Sequence, residues 1–336
     1  MPSLSISGGI RNSMLTFLSN RILQSVTVLF GVTIVCFIVF QYLGDPALTI
    51  VGEDATDEQL EEVRVSLGLY DPLYVQYGKF ITRVVRGEFG NSFITGTPAL
   101  PIVLERIPAT LELALSAMFI ATVMALIIGI YAAMRPKASL SKIAMLFTLG
   151  GISLPTFLTG ILLIYVFSIS LQMLPPFGRG ELVKLTDWWS TGFLTWDGIK
   201  HLFMPAVTLG LFQLAMSTRV VRGEMQEVLL LDYIRTARAK GLSEWQVTLR
   251  HALKNALIPF VTMVGLQLGN VIAFAMVVET VFQWPGMGLL IIDSITQNDQ
   301  PVVVTYIMVI AVMFVFINFT VDLLYCVLNP RIVYER

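Results

Sequence analysis

An all-α membrane protein of six transmembrane helices, with a small helical insert after the first, is the fold class that this sequence predicts. Three observations carry it. Hydrophobic residues make up 55% of the 336 and charged residues only 13%; a soluble domain carries about 25% charged residues. Several apolar runs exceed the roughly 18 residues that cross a hydrocarbon core. The Lys and Arg between those runs are shared unevenly between alternate sides. Backbone in such runs must be helical, because lipid cannot satisfy an open strand. The short alternating segments of a membrane barrel are not present.

The elements follow in order. Met1 to Arg21 reads as a polar tail carrying Arg11 and Arg21. Ile22 to Leu43 is the first span, interrupted by Gln24, Thr27, Thr33 and Gln41. Its apolar run is too long for a signal peptide and no small-x-small site follows, so a retained anchor is expected. Gly44 to Pro108 is an insert of 65 residues with ten acidic and five basic side chains. Within it, Thr56 to Leu67 starts like a helix, with Thr56 as N-cap, acids in the first turn and Gln59 at the capping-box position. Gly68 can end it. Leu73 to Val85 is a second amphipathic stretch, and Gly87, Gly90, Gly96 and Pro98 then break the chain. The insert is long enough for a small helical lobe and too short for an independent enzyme domain.

Ala109 to Met134 is the second span, and Ile143 to about Leu171 the third, which Pro155 should kink. A loop with Pro175, Pro176, Trp188, Trp189 and Trp196 follows, and its tryptophans suit a membrane interface. Leu202 to Val221, Pro259 to Phe282 and Val302 to Leu324 complete the six. Six spans place the N-tail, the Arg135–Lys142 loop, the Arg219–Lys254 loop and the C-tail on one side. That side holds 14 of the 22 Lys and Arg but five of the loop acids, against 15 acids opposite. By the positive-inside rule both termini and the Arg219–Lys254 loop are cytoplasmic, and the insert is outside.

Catalytic chemistry finds little support. Neither Cys36 nor Cys326 suggests a disulfide or metal site; both read as small buried hydrophobes. The two histidines, His201 and His251, fall on opposite faces, which argues against a histidine metal centre. No Gly-rich phosphate-binding loop of the G-x-x-x-x-G-K-[ST] type occurs, so ATP is not expected to bind this chain. No spacing brings Ser, His and Asp into a triad. Polar residues within spans are costly and default to function. Gln267 and Asn270 can share a helix face and line a pathway, or bond between helices. Glu279 and Asp322 lie near span ends, within reach of head groups. Pro155 can gate or merely pack, and Trp284-Pro285-Gly286 re-enters at the outer surface as a candidate external gate. A membrane enzyme would need an ionisable cluster at one depth, which Glu112, Glu279 and Asp322 do not supply. A passive scaffold remains the third class.

The longest polar, basic segment between apolar runs is Asp232 to Pro259, DYIRTARAKGLSEWQVTLRHALKNALIP. Val228, Leu231, Ile234 and Ala237 recur at helical spacing, Lys240 sits in the last turn and Gly241 stops the helix. Ser243 to Gln246 is a capping box for a second helix, which places Trp245, Leu249, Ala252, Leu253 and Ala256 toward one side. Pro259 marks re-entry into the membrane. One reading is a basic interfacial tether for anionic lipid. The other is a docking surface, and a helix–Gly–capped-helix form is more specific than a tether requires.

This segment resembles the EAA loop of ABC importer permeases, specifically the dipeptide/oligopeptide/nickel branch. Arg235-Thr236-Ala237 precede Gly241, and Leu257-Ile258-Pro259 close the loop. The glutamate of the general pattern is absent and the Gly-to-Pro distance is longer, as is usual in the peptide branch, whose hallmark resembles DYxRTARAKGL followed by RHALxNAxxP. The resemblance extends to Gly44-Asp45-Pro46-Ala47, Leu67 to Leu73, Arg106 to Leu113, Ser153 to Phe157, Val281 to Gly286 and Asn329-Pro330-Arg331.

The resemblance implies a type I importer permease fold. It divides the chain into a tail and first span (1–43), a periplasmic insert (44–108), a transmembrane core (109–329) with its coupling loop at 224–258, and a cytoplasmic tail (330–336). It implies half of a translocation pathway in the bacterial inner membrane. The partners would be a second homologous permease, two ABC ATPase subunits and an external binding protein, besides lipid, with no nucleic acid. This chain would carry no cofactor; ATP and Mg would sit on the ATPases. Arg235, Thr236, Ala237, Gly241, Arg250 and His251 would couple to the ATPase, while Ser153, Pro155, Gln267, Asn270 and Trp284 would belong to the path or gate. Peptides are the expected cargo, with nickel complexes, glutathione, haem or oligosaccharide as alternatives and an intramembrane enzyme as a distant one.

Overall fold

A computed structural model describes residues 6–42, 51 and 56–328 of the chain. The motifs at Gly44–Ala47 and Asn329–Arg331 lie outside the described residues, as does the side chain of Cys326. Among the described residues five helices are long and apolar enough to cross a membrane, with candidate spans at Ser19–Gln41, Ala99–Met134, Trp196–Val228, Glu244–Val281 and Gln300–Leu323. The remaining expected span is broken. Helix Ser139–Ser153 stops at Leu154, whose ψ is 134°, and Thr156–Leu163 restarts after Pro155 and runs into a π-helical turn, Ile164–Ser170. Proline disfavours helical backbone at the residue before it, and Leu154 is extended here, so Pro155 breaks the span rather than kinking it.

Three other boundaries differ from the sequence reading. The first helix begins at Ile6, within the expected polar tail. No proline lies between Pro2 and Pro46 to stop it, and propagating an existing helix costs little. The fourth span runs from Trp196 to Val228, with Thr195 capping Gly198 N–H at 3.0 Å and Pro205 inside the helix. Pro259 likewise lies inside a continuous helix, Leu253–Val281, instead of marking a break. Between the broken span and the fourth, the loop forms a two-residue hairpin, Val183–Lys184 against Ser190–Thr191.

The chain divides into two compact units. One comprises the residues up to Ile107 with Leu289–Phe316. Here the capping box at Thr56 and the left-handed Gly68 (φ 68°) bound helix Asp57–Leu67 as expected. Helix Leu73–Val85 lays aromatic residues on the first span. Tyr77 meets Phe30 and Phe37 edge-on at 6.5 and 5.4 Å between centroids, and its hydroxyl bonds Thr33 Oγ1 at 2.8 Å. Phe80 and Val84 pack with Val304 and Met308 around the buried thiol of Cys36. Asp299 ties down the loop near Ser92: it accepts from Ser92 Oγ at 2.5 Å and Phe93 N–H at 3.1 Å.

The other unit comprises, among the described residues, 108–288 and 317–328. Its helices meet through small residues, as membrane helices do when dispersion and not water drives association. Ala109, Ala114, Ala117, Ala121, Ala125 and Ala132 of the second span are all buried. Gly210 faces the Ala117 carbonyl so closely that a Cβ there would stand 2.8 Å from it. Any larger residue at that crossing would push the fourth span off the second.

Candidate functional site

Two places in this second unit combine placed polar groups with a rigid support. The first is the corner joining the fourth and fifth spans. The fourth helix ends at Val228, and a short turn leads into helix Asp232–Ala239. Asp232 in its first turn suits the positive end of the helix dipole. Ile234 (0% exposed) and Ala237 (6%) form its inner face, three residues apart. They pack with Val221, Met225 and Val228 of the fourth helix, Ala133 of the second, and Val247, Ala252, Ala256 and Phe260 beyond the corner. Burying an isoleucine of that kind contributes roughly 1.5–3 kcal/mol. The outer face carries Arg235, Thr236, Arg238 and Lys240, all exposed.

Gly241 turns the corner at φ +81°, with nothing within 4 Å of where a Cβ would stand. Glycine is required there by its backbone and not by space. Ser243 and Gln246 form the expected capping box. Across the turn, Arg238 Nε and NH2 donate to the two carboxylate oxygens of Glu244 at 2.8 and 3.2 Å. Asn255 Nδ2 donates to the Tyr233 hydroxyl at 2.7 Å, linking both sides of the corner again. The capped turn then passes through a π-helical stretch, Val247–Ala252. Its wider turn rotates the helix face. Val247, Thr248, Ala252 and Ala256 are therefore buried, while Trp245 (63%) and Leu249 (39%), expected on the same side as the alanines, are exposed.

Of the residues singled out for coupling, the structure brings Arg235, Thr236, Gly241 and Arg250 to the surface, with His251 half-buried. Ala237 points inward and serves packing. The sequence places Arg238 on the polar side of the corner, where it lies, but its pairing with Glu244 is not among the expectations, although their spacing across a glycine turn is a legible signal for a bracing pair.

The second place lies at the opposite end of the fifth span. Glu279 is fully buried instead of reaching toward head groups. Its carboxylate accepts from Thr110 Oγ1 at 2.7 Å and from Gly288 N–H at 2.6 Å. Thr110 Oγ1 in turn accepts from Met287 N–H at 2.8 Å. A Cβ on Gly286 would overlap the Glu279 carboxyl group, so the turn after the fifth span closes directly over it. Beside it, Glu112 and Arg179 form a buried ion pair at 2.6 Å, with side chains 3% and 7% exposed. Arg179 also donates to Ser190 C=O at 2.7 Å, and Glu112 accepts from Gly192 N–H at 3.2 Å. Trp284 is fully buried; its indole N–H donates to Ala109 C=O at 2.9 Å and its ring lies 5.8 Å from the Arg179 guanidinium. Trp284 is thus an internal strut of the loops at this end of the unit.

The remaining path residues are not gathered at one point. Gln267 is half-buried, and its Oε1 lacks a hydrogen-bond partner; Asn270, one turn on, is exposed. Pro155 stands at the break in the third span, and the side chain of Ser153 lies outside the described residues. Gln213 Nε2 and Ser217 Oγ on the fourth span are also buried without partners. Among the described residues no three His, Cys, Asp or Glu side chains gather as metal ligands.

Residues 125–334 match the model of the binding-protein-dependent transport system inner membrane components, and residues 14–114 match the N-terminal model of the same systems. The chain belongs to this family. The permease is 40% identical to a di/tripeptide transport system permease protein, DppB, of Pseudomonas aeruginosa, over 96% of this chain and 100% of the relative. It is 38% identical to a dipeptide permease protein DppB of Alkalihalophilus pseudofirmus, and 39% identical to the glutathione permease protein GsiC of Escherichia coli K12, each at the same coverage. Among solved structures, the inward-facing MetNI methionine ABC transporter matches with TM-score 0.54 at 15% identity, over 68% of this chain and 96% of that one. That likeness shows the fold, that of a type I importer permease. The permease is accordingly a multi-pass transport subunit and not an enzyme, of a class that works with ATPase and binding-protein partners.

Proposed function

We propose that this permease forms half of a translocation pathway for peptides delivered by an external binding protein, and that a cytoplasmic ATPase subunit grips it at the Asp232–Ala239 corner. A second, homologous permease supplies the other half, and two ATPase subunits hold the ATP and Mg. The assembly sits in the bacterial cytoplasmic membrane with both termini of this chain on the ATPase side. In this reading residues 44–108 are an external lobe and residues 330–336 a cytoplasmic tail. The relatives' names support peptides as the cargo class, glutathione being itself a small peptide.

One observation carries the coupling role. The corner helix is fixed to three spans by Ile234 and Ala237 while its cationic face stays open. A push on Arg235, Thr236 or the Gly241 tip is therefore passed to the fourth and fifth helices as a rotation and not absorbed by a loop. Arg250 and His251 flank the tip, and Ala237 holds its position. Gln267 and Asn270 then face the pathway from the fifth span, with Ser153 and Pro155 at the break in the third. Trp284 fixes the outer gate from within.

The assembled importer bearing Gly241→Trp tests the docking. ATP hydrolysis stimulated by cargo-loaded binding protein should fall at least tenfold, with the permease still in the membrane; undiminished hydrolysis and uptake would sink the proposal. Cargo is tested by uptake of labelled dipeptide, tripeptide and glutathione into a strain lacking this system. Rescue by a nickel complex, haem or an oligosaccharide alone would overturn the peptide assignment while leaving the docking surface standing.

A further inference from the structure

The first unit holds a cavity of about 520 Å³ that the coupling and transport roles do not use. Its size is within the range of small-molecule sites, about 300–1,000 Å³. Its lower wall is built from the last turn of the first span, with Phe37, Phe40 and Gln41, and the first turn of the last, with Pro301 and Val304. Phe80, Phe89 and Phe93 close the sides. The cavity therefore opens where two membrane helices end, at the boundary between hydrocarbon and head groups.

Its rim has the opposite character. Lys79 and Arg83 line the mouth together with one acid, Glu88, and a second trough lined by Lys79, Arg83, Arg86 and the same Glu88 continues from it along helix Leu73–Val85, so cations outnumber acids three to one there. Lys79 is bound to Asp71 at 2.6 Å. Arg83 and Arg86 are exposed, and among the described residues, Glu88 included, no carboxylate is bridged to either. The same helix leaves Leu73, Tyr74 and Val85 exposed at 59%, 77% and 80%. A cationic helix with exposed apolar side chains, next to a span end, has the makeup of a segment lying in a bilayer interface.

We propose that this cavity is a binding site for an anionic phospholipid of the surrounding leaflet: an acyl chain enters between Phe37, Phe40, Phe80 and Phe89, and the headgroup phosphate sits against Arg83 and Arg86. The apolar floor selects a hydrocarbon chain over a soluble polar ligand. The rim selects a negative headgroup, because an arginine offers a fork of donors to phosphate. The site needs only that the chain spans a membrane, so it stands or falls independently of the cargo.

The whole importer, reconstituted in nanodiscs, tests this with photoactivatable phosphatidylglycerol or phosphatidylcholine carrying the reactive group on an acyl chain. Phosphatidylglycerol should label peptides containing Phe37–Phe40 and Phe80–Phe89 in preference to phosphatidylcholine. Arg83→Ala should cut that labelling about fivefold, the weight of one cation at an anionic surface. Labelling of the Ile107–Met134 helix in the same sample should not change, and ATP hydrolysis checks that the complex is intact. Free glycerol 3-phosphate should not compete, because it lacks the chain. Equal labelling by both lipids, or labelling indifferent to Arg83→Ala, overturns the proposal. So does an absence of label in the cavity, which would give it to another occupant such as the chain's own residues 43–55 or an external protein.

Discussion

The two ends of the fifth span hold their neighbours by opposite means. At the Gly241 corner the contact is apolar: Ile234 and Ala237 press into a core of aliphatic residues, and the charged groups stay outside. At the other end the contact is polar: Glu279, Thr110, Glu112 and Arg179 are buried and bonded to one another or to loop backbone. Apolar packing is tolerant of direction, so a helix held that way keeps a free face and can be pushed as a body. Buried hydrogen bonds to loop N–H and C=O groups fix those groups in place, because each lost partner leaves a desolvated polar atom. The first arrangement suits a surface that receives a load, and the second suits loops that must not wander.

The contrast is broken most severely at the buried ion pair. Arg179→Ala leaves the Glu112 carboxylate buried with one backbone donor, Gly192 N–H. Removing one partner of a buried pair costs about 3–5 kcal/mol. The midpoint of thermal unfolding of the assembled complex should drop markedly. Adding Glu112→Gln to Arg179→Ala should recover part of the loss, since an amide is cheaper to bury than a lone charge. If the double variant is no better than the single one, the pair is not what holds this end.

Next comes the apolar side. Ile234→Ala removes the fully buried anchor of the corner helix, a change that costs about 2–5 kcal/mol where the site cannot collapse. Some of that loss will be local, since the corner can loosen without the spans coming apart. Ile234→Val should lose about 0.5–1.5 kcal/mol and keep coupling. Cargo-stimulated ATP hydrolysis should therefore fall in the alanine variant more than unfolding temperature alone explains. A proportional fall in both would mean the helix is merely structural.

How much of this was legible follows from what each feature depends on. The corner could be read because its signals are local: a glycine, a capping box and apolar residues three apart. The break at Pro155 and the two long helices through Pro205 and Pro259 divide differently. Proline always costs a hydrogen bond, and whether the helix continues depends on neighbours that a single sequence does not display. The exposure of Trp245 and Leu249 was hidden for a similar reason, because a π turn shifts the face without any residue announcing it. The polar knot at the Glu279 end was least legible. Glu112, Arg179 and Glu279 are 67 and 100 residues apart in sequence, and only the fold shows that Glu112 meets Arg179 and that Glu279 sits under Gly286 and Gly288. A buried acid near a span end looks the same in sequence as one reaching for water.

The finest division between the two ends concerns Arg238 and Glu244, a bidentate charge pair on the corner's outer surface at 2.8 Å. Both side chains are exposed, at 39% and 61%, and exposed pairs contribute about 0–1 kcal/mol. Arg238→Ala should hardly move the unfolding temperature, unlike Arg179→Ala, though both delete an arginine bonded to a glutamate. Its effect on transport separates two roles. If the pair braces the turn, Arg238→Glu combined with Glu244→Arg restores ATP hydrolysis that either single reversal lowers. We expect that restoration, because the pair closes the Gly241 turn from Asp232–Ala239 to the capped helix and needs only opposite signs to do so. Failure of the swap, with stability unchanged throughout, would move Arg238 from the brace to the docking face itself, where the sign of its charge is read by the ATPase.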